Sequence, residues 1–363
     1  MNIKIAVLPG DGVGTEVTGG AVKILEKVAH QYDLNLEMES YFVGGAAIDE
    51  VGTALPDDTL AACMESDAVL LGAVGGPKWD NPLADVRPEQ GLLGLRKELG
   101  LFANLRPVVP HPDLLDASPL KRDLLQDVDI LVVRELTGGI YFGQPQGRST
   151  NDGIEKAVDT MSYTVPEVKR VADLAFKLAS ERKGKVTSVD KANVLETSRL
   201  WRQVVGEVAE SYSEVELETM LVDAATMHLL LRPASFDVLV TTNMFGDILT
   251  DESSVLVGSM GNLPSASLGE SLNQLGKQRG MYEPIHGSAP DIAGKGIANP
   301  IGAILSTAML LRYSLGLEEA AQSVERAVDL TIKAGYRTVD LADQGEETLD
   351  TKEILAVIIG NLQ

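Results

Sequence analysis

The chain has 363 residues, 44% of them hydrophobic, with 31 Lys+Arg against 53 Asp+Glu; that size suits two domains or one large one, and the apolar share excludes charge-driven disorder. A net charge of −22 excludes functions that rest on neutralising phosphates, so neither a nucleic acid nor an anionic membrane is expected as a partner. One cysteine, Cys63, four scattered histidines and no signal-peptide pattern in residues 1–12 point to a soluble protein of a reducing compartment, the cytoplasm, without disulfides or a zinc-type cluster.

In chain order, apolar runs at 3–8, 68–74 and 130–135 predict buried strands, with a helix over 16–32 after the first. A helix over 164–182 follows. There Thr164 and Glu167 form a capping-box pattern with Pro166 in the first turn, and Val165, Val168, Val171, Ala175 and Leu178 mark one face. Strands at 185–189, 215–222 and 237–241 then alternate with helices over 197–211 and 224–231, and a last helix is expected over 300–315. Such alternation predicts an α/β fold with a largely parallel sheet. Two stretches break the pattern. Residues 135–152 are glycine-rich and read as a protruding hairpin or arm, and 258–299 is rich in Gly, Ser and Pro with few strand or helix signals. Long irregular segments of this kind usually carry function. The longest uncharged stretches, 253–269 and 297–311, are interrupted by Pro and polar residues and fall short of the roughly 18 apolar residues that span a membrane.

The sharpest chemical feature follows the strand at 237–241. If a helix begins near Phe245, Asp247 and Asp251 lie four apart on one face, like charges that either a divalent cation or the helix dipole would answer. Oxygen ligands select Mg²⁺ or Mn²⁺. Asp223, at the end of the strand 215–222, is either a third ligand or a helix N-cap. Arg96, Arg106 and Arg134 offer planar forks for carboxylates, with salt bridges as the plainer use of each; Arg134 ends a buried strand, where α/β sheets place ligands. Lys191 ends another strand and is either a base or a solvated lysine, while Tyr141 either donates a proton or packs. The run from Gly10 to Gly14 lacks the dinucleotide fingerprint. The loop 283–291 has the composition to wrap a cofactor, and Asn299-Pro300 reads as a helix start. The residues alone point to a metal-dependent α/β enzyme acting on a polycarboxylate.

Together, LPGDGVG at 8–14, RELTGGIYFG at 134–143, VDKANVLE at 189–196, NMFGDILTDE at 243–252 and GSAPDIAGKGIANP at 287–300 resemble the β-decarboxylating dehydrogenases, the isocitrate/isopropylmalate dehydrogenase family. The resemblance runs nearly the whole length. It implies a non-Rossmann, two-domain α/β fold: a cofactor-side domain of 1–104 plus 259–363, and a second domain, 105–258, carrying the dimer contact, the metal and substrate residues and an arm near 135–152. It also implies that Arg96, Arg106 and Arg134 hold malate carboxylates, and that Asp223, Asp247 and Asp251 bind Mg²⁺ or Mn²⁺. Lys191 then takes the hydroxyl proton and Tyr141 protonates C3, with Asp223 beside them. In the family Lys191 and Asp223 come from the partner subunit, so a homodimer is expected.

For NAD, similar proteins place Asp291 on the ribose and Asn299 by the adenine, with Glu283, His286, Gly287, Ser288 and Ala289 between them. Gly76 and Glu89, in the loop 75–89, lie on the nicotinamide side. A carboxylate at 291 would repel a 2′-phosphate, so NAD is expected rather than NADP. Leu92 and Leu93 stand where isocitrate-type enzymes are polar. They imply an apolar wall for 3-isopropylmalate, oxidised to 4-methyl-2-oxopentanoate in leucine biosynthesis, with D-malate or tartrate as the alternative substrate.

Overall fold

The computed structural model describes residues 2–81 and 83–363; Met1 and Pro82, the latter inside the loop 75–89, lie outside the described residues. The chain divides into one unit of Met1–Leu101, Pro110–Pro119 and Ser254–Gln363 and a second of Phe102–Val109 and Leu120–Ser253. Residues 110–119 thus belong with the first unit, although a boundary at 104/105 would put them in the second.

In the first unit the strand order is Asn35–Ser40, Asn2–Gly10, Ala68–Ala73, Gln278–Pro284, Pro264–Leu272. The first four run parallel and the last is antiparallel to its neighbour. Ala68–Ala73 is buried at all six positions, as expected of a parallel strand covered on both faces. Helix Gly14–Gln31 buries Val17, Ala21, Ile24, Leu25 and Val28, the stripe that a 3.6-residue period produces. Helix Ile301–Tyr313 packs on the last two strands and on two further helices, and its buried hydroxyls bond back to its own backbone: Ser306 to Gly302 O at 2.8 Å and Thr307 to Ile304 O at 2.6 Å. The segment 258–299 is not irregular throughout, since it contains two of these strands. Its inward positions include Ser265 and Ser267 rather than branched apolar residues, which hides the strand period. Ser265 Oγ donates to Glu283 O at 3.0 Å and so satisfies its own burial.

In the second unit the order is Leu101–Val108, Ile130–Glu135, Val238–Thr241, Lys185–Asp190, Glu216–Leu221. The first pair is antiparallel and the rest parallel. Helix Val165–Ser180 opens on the expected capping box, with Thr164 N–H and Oγ1 both 2.7 Å from Glu167 Oε2. Helix Glu196–Ala209 buries Trp201 completely, its indole N–H donating to Ser188 Oγ at 3.1 Å. The arm is an exposed two-stranded hairpin, Gly147–Asn151 with Ile154–Val158. It begins later than 135 because Gly139–Tyr141 first forms a single helical turn.

Thr164→Ala removes the hydroxyl from this capping box. It is expected to lower unfolding stability by about 1 kcal/mol, read as a shift of the urea midpoint without a change in slope.

Candidate active site

Arg134 lies in the strand Ile130–Glu135, which is buried at every position. The neighbouring strand sets Arg106 opposite Val132, so Arg106 and Arg134 are diagonal neighbours on one face. Both are buried, at 6% and 1% exposure. Arg134 Nε and Nη2 donate to Asn243 Oδ1 at 3.1 and 2.8 Å, and its Nη1 donates to Asp247 Oδ1. Arg106 donates to Asn104 Oδ1 at 2.6 Å and to Thr250 Oγ1 at 2.5 Å, with Nη2 3.6 Å from Asp247. The Tyr141 hydroxyl donates to Asp247 Oδ2 at 3.1 Å, and its ring lies 5.8 Å from the Arg134 guanidinium carbon. Two guanidiniums and a phenol therefore converge on one carboxylate.

That carboxylate sits on helix Asn243–Ser253, which starts two residues before the expected Phe245. Asn243 N–H donates to the Tyr163 hydroxyl at 2.9 Å. Gly246 is required by proximity, because a Cβ there would stand 2.7 Å from Arg134 Cγ. Asp251 follows one turn after Asp247, with Oδ1 4.0 Å from Arg106 Nη1. Loss of surrounding water, and after it the like charge of Asp247, hold Asp251 above the usual carboxylate range despite Arg106 and Arg134. Two oxygen donors that repel each other fit a hard divalent cation as two of its ligands.

Asp223 is elsewhere in the same unit. It is the second residue of helix Val222–Leu231, whose N-cap is Leu221, so the N-cap reading of Asp223 is not what forms. Its Oδ1 is 2.5 Å from Lys191 Nζ. That bond holds the Asp223 carboxyl below its ordinary range. Among the described residues no group of three His, Cys, Asp or Glu side chains is placed to hold a metal. One chain thus brings together Arg106, Arg134, Tyr141, Asp247 and Asp251, and separately pairs Lys191 with Asp223. The partners Asn104, Asn243 and Thr250 were not anticipated. Only Asn243, polar and directly after a strand, carried a visible signal.

In the first unit, Arg96 on helix Pro88–Glu98 donates from Nη2 to Glu283 Oε1 at 3.0 Å, both side chains being buried. Its Nε is buried without a hydrogen-bond partner among the described residues, a donor suited to a carboxylate ligand. Leu92 and Leu93, on the same helix, are half-buried. Gly76 precedes the turn Pro77–Trp79, and Glu89 Oε1 lies 2.9 Å from where a Gly75 Cβ would stand.

A cavity of about 230 Å³ is lined by Val13, Gly261, His286, Ala289, Asn299 and Asp340, among others. His286 Nδ1 lies 2.9 Å from Gly287 O, so Nδ1 carries the proton and Nε2 is an acceptor. Nε2 is buried with no hydrogen-bond partner among the described residues, and burial keeps the ring below its ordinary pKa and neutral. An acceptor at the wall of such a cavity fits the amine or hydroxyl of an adenosine. Asn299 Oδ1 accepts from Ile301 N–H at 3.0 Å while its amide donates to Asn262 and Asp340; the helix begins at Ile301 with Pro300 as its N-cap, so Asn299 precedes the cap rather than forming it. Ser288 O accepts from Val13 N–H at 2.9 Å, Gly287 is exposed, and Asp291, two residues after Ala289, is exposed as well.

A family model described as isocitrate/isopropylmalate dehydrogenase matches residues 4–358. A 3-isopropylmalate dehydrogenase of Anaeromyxobacter dehalogenans is 61% identical over 98% of this chain and 99% of its own. One of Bacillus subtilis is 57% identical over 98% and 95%. Among solved structures, an isocitrate dehydrogenase from Methylococcus capsulatus superposes with a TM-score of 0.87 at 33% identity, covering 99% of each chain.

Asp251→Asn removes the like-charge contact with Asp247. It is expected to stabilise the metal-free protein by up to about 0.5 kcal/mol, and Mg²⁺ is expected to raise the Tm of the unsubstituted chain but not that of Asp251→Asn. Calorimetry with and without chelator reads both effects.

Proposed function

Because the chain belongs to the isocitrate/isopropylmalate dehydrogenase family, we propose that it catalyses the NAD-dependent, Mg²⁺- or Mn²⁺-assisted oxidative decarboxylation of 3-isopropylmalate to 4-methyl-2-oxopentanoate, a step of leucine biosynthesis. The observation that carries this reading is the convergence of Arg106, Arg134 and Tyr141 on Asp247: anion-binding forks and a proton donor beside a paired-carboxylate metal position. Arg106 and Arg134 hold carboxylates of the substrate, and Arg96, with its free Nε, takes another. Leu92 and Leu93 present apolar surface to the isopropyl group. Extra methyl groups discriminate by only about 1–3 kcal/mol.

Asp247 and Asp251, with Asp223, would hold the cation, which would supply polarisation of the C2 oxygen, while NAD would supply the hydride acceptor for C2. Lys191 takes the proton of the C2 hydroxyl, the carboxylate on C3 leaves as CO₂, and the Tyr141 hydroxyl returns a proton to C3. Atoms and charge balance without a covalent nucleophile. The second unit would carry this chemistry, and His286, Asn299 and Asp291 of the first would hold the adenosine half of NAD. No helix of the described residues is long and apolar enough to cross a membrane. The single cysteine supports a reducing compartment, and the cytoplasm is the location proposed for the reaction.

The active form is a homodimer in which Lys191 and Asp223 complete the partner's site. Two observations support it. Lys191 and Asp223 pair with each other rather than with Asp247 and Asp251. Asp223, Met227 and Leu231 also recur at four-residue spacing on one helix face, and Met227, Leu231, Val194 and Ile248 are apolar side chains more than half exposed.

Three results are expected. NADH forms from 3-isopropylmalate with Mg²⁺ and not with chelator; silence with every metal overturns the enzyme reading, and turnover of D-malate alone overturns the substrate. Mixing inactive Lys191→Ala and Asp247→Asn subunits restores activity, since one site of each mixed dimer is then intact, and continued inactivity of a verified mixed dimer overturns the shared site. Asp291→Lys shifts preference from NAD toward NADP, measured as the ratio of kcat/KM values.

A further inference from the structure

Of the turn at 8–14 only Val13 has a part in the site above, at the cavity wall, yet the turn also holds a carboxylate, Asp11, that is only 4% exposed. Asp11 Oδ2 accepts from the N–H groups of Gly45 and Gly75, each at 2.8 Å, and Oδ1 accepts from Ala46 N–H at 2.7 Å. Gly45 and Ala46 open the helix Gly44–Val51, whose unpaired N–H groups favour an anion. Gly75 opens the loop 75–89.

The other side of the same turn holds a second loop. Val13 N–H donates to Ser288 O at 2.9 Å. Gly12 lies so close that a Cβ would stand 2.1 Å from that carbonyl oxygen. One helical turn later, Glu16 Oε1 accepts from Gly294 N–H at 2.6 Å. All these residues belong to the first unit.

We propose that Asp11 is a positioning residue for NAD: it ties the loop at Gly75 to the turn that also ties the loop at Ser288, fixing the separation of the two cofactor loops before NAD arrives. The proposal rests on the cofactor assignment made above. Its physical basis is preorganisation, since loops already ordered do not lose their freedom on binding. A carboxylate is needed because three N–H groups point at it. An asparagine of the same shape turns one end from acceptor to donor, so at least one buried N–H loses its partner.

The experiment compares the unsubstituted protein with Asp11→Asn, Val13→Pro and Asp67→Asn, all checked for folding by circular dichroism. Val13→Pro suits the native φ of −66° and deletes the N–H that reaches Ser288. Asp67 is the control, being equally buried at 1% exposure but bonded to Lys4 N–H and the Gln274 amide. Asp11→Asn is expected to weaken NADH binding by about tenfold or more in equilibrium titration. It should also speed amide exchange at Gly45, Ala46 and Gly75 while leaving the KM for the hydroxy acid within about twofold. Val13→Pro weakens NADH as well, and Asp67→Asn does not.

A folded Asp11→Asn that binds NADH normally overturns the proposal, as does an equal loss in Asp67→Asn. If Asp11→Asn does not fold, unchanged NADH affinity in Val13→Pro overturns it. Absence of NADH binding by the unsubstituted protein overturns the cofactor assignment instead, and this proposal with it.

Discussion

Two guanidinium groups, those of Arg106 and Arg134, are taken out of water at adjacent strands of the second unit. Desolvating such ions costs on the order of several kcal/mol each, and nearly every other feature of that unit's site answers this cost. Asn104, Asn243 and Thr250 supply neutral oxygens, and Asp247 supplies the charge. The helix Asn243–Ser253 must approach closely to deliver them, which is why Gly246 faces Arg134. The acid that answers the arginines stands one turn from Asp251, which burial and the like charge of Asp247 hold above the usual carboxylate range despite Arg106 and Arg134.

The cofactor side works by a different means. Backbone amides and carbonyls gather around a short turn at 8–14 beside a cavity of about 230 Å³ whose wall includes His286, Asn299 and Asp340. Arg96 and Glu283 pair within this unit, so a residue assigned to substrate and a residue assigned to cofactor are in contact before either ligand is present. A ligand carboxylate would meet the unpartnered Nε without first breaking that ion pair.

Much of this was legible from spacing alone. The strand ending in Arg134, the acids four apart after a strand, and the capping box at Thr164 each have a local cause in the chain. Most of what escaped reading had no local cause. The strand Pro264–Leu272 was hidden because Ser265 and Ser267 fill buried positions there, and Gln278–Pro284 because its buried positions include Gly280 and Glu283. Asn104 serves Arg106 from the same face of one strand, two residues away, but Thr250 does so from 144 residues away, and no local period links Thr250 to it. Asp223 reads as a cap because its helix follows a strand, but its carboxylate finds Lys191 instead.

The excess of acid over base, the alternation of strand and helix, and the order of five long motifs are properties of the sequence by itself. They determined the fold class and the family, because short-range periodicity and motif order survive without coordinates. Tertiary structure decided which charges meet. It put Arg106, Arg134 and Tyr141 on Asp247, kept Lys191 and Asp223 apart as a pair, and turned the Asp11 carboxylate onto three backbone amides of two distant segments. Electrostatic and hydrogen-bond partners are set by distance in space, and only the packing of strands and helices fixes that distance.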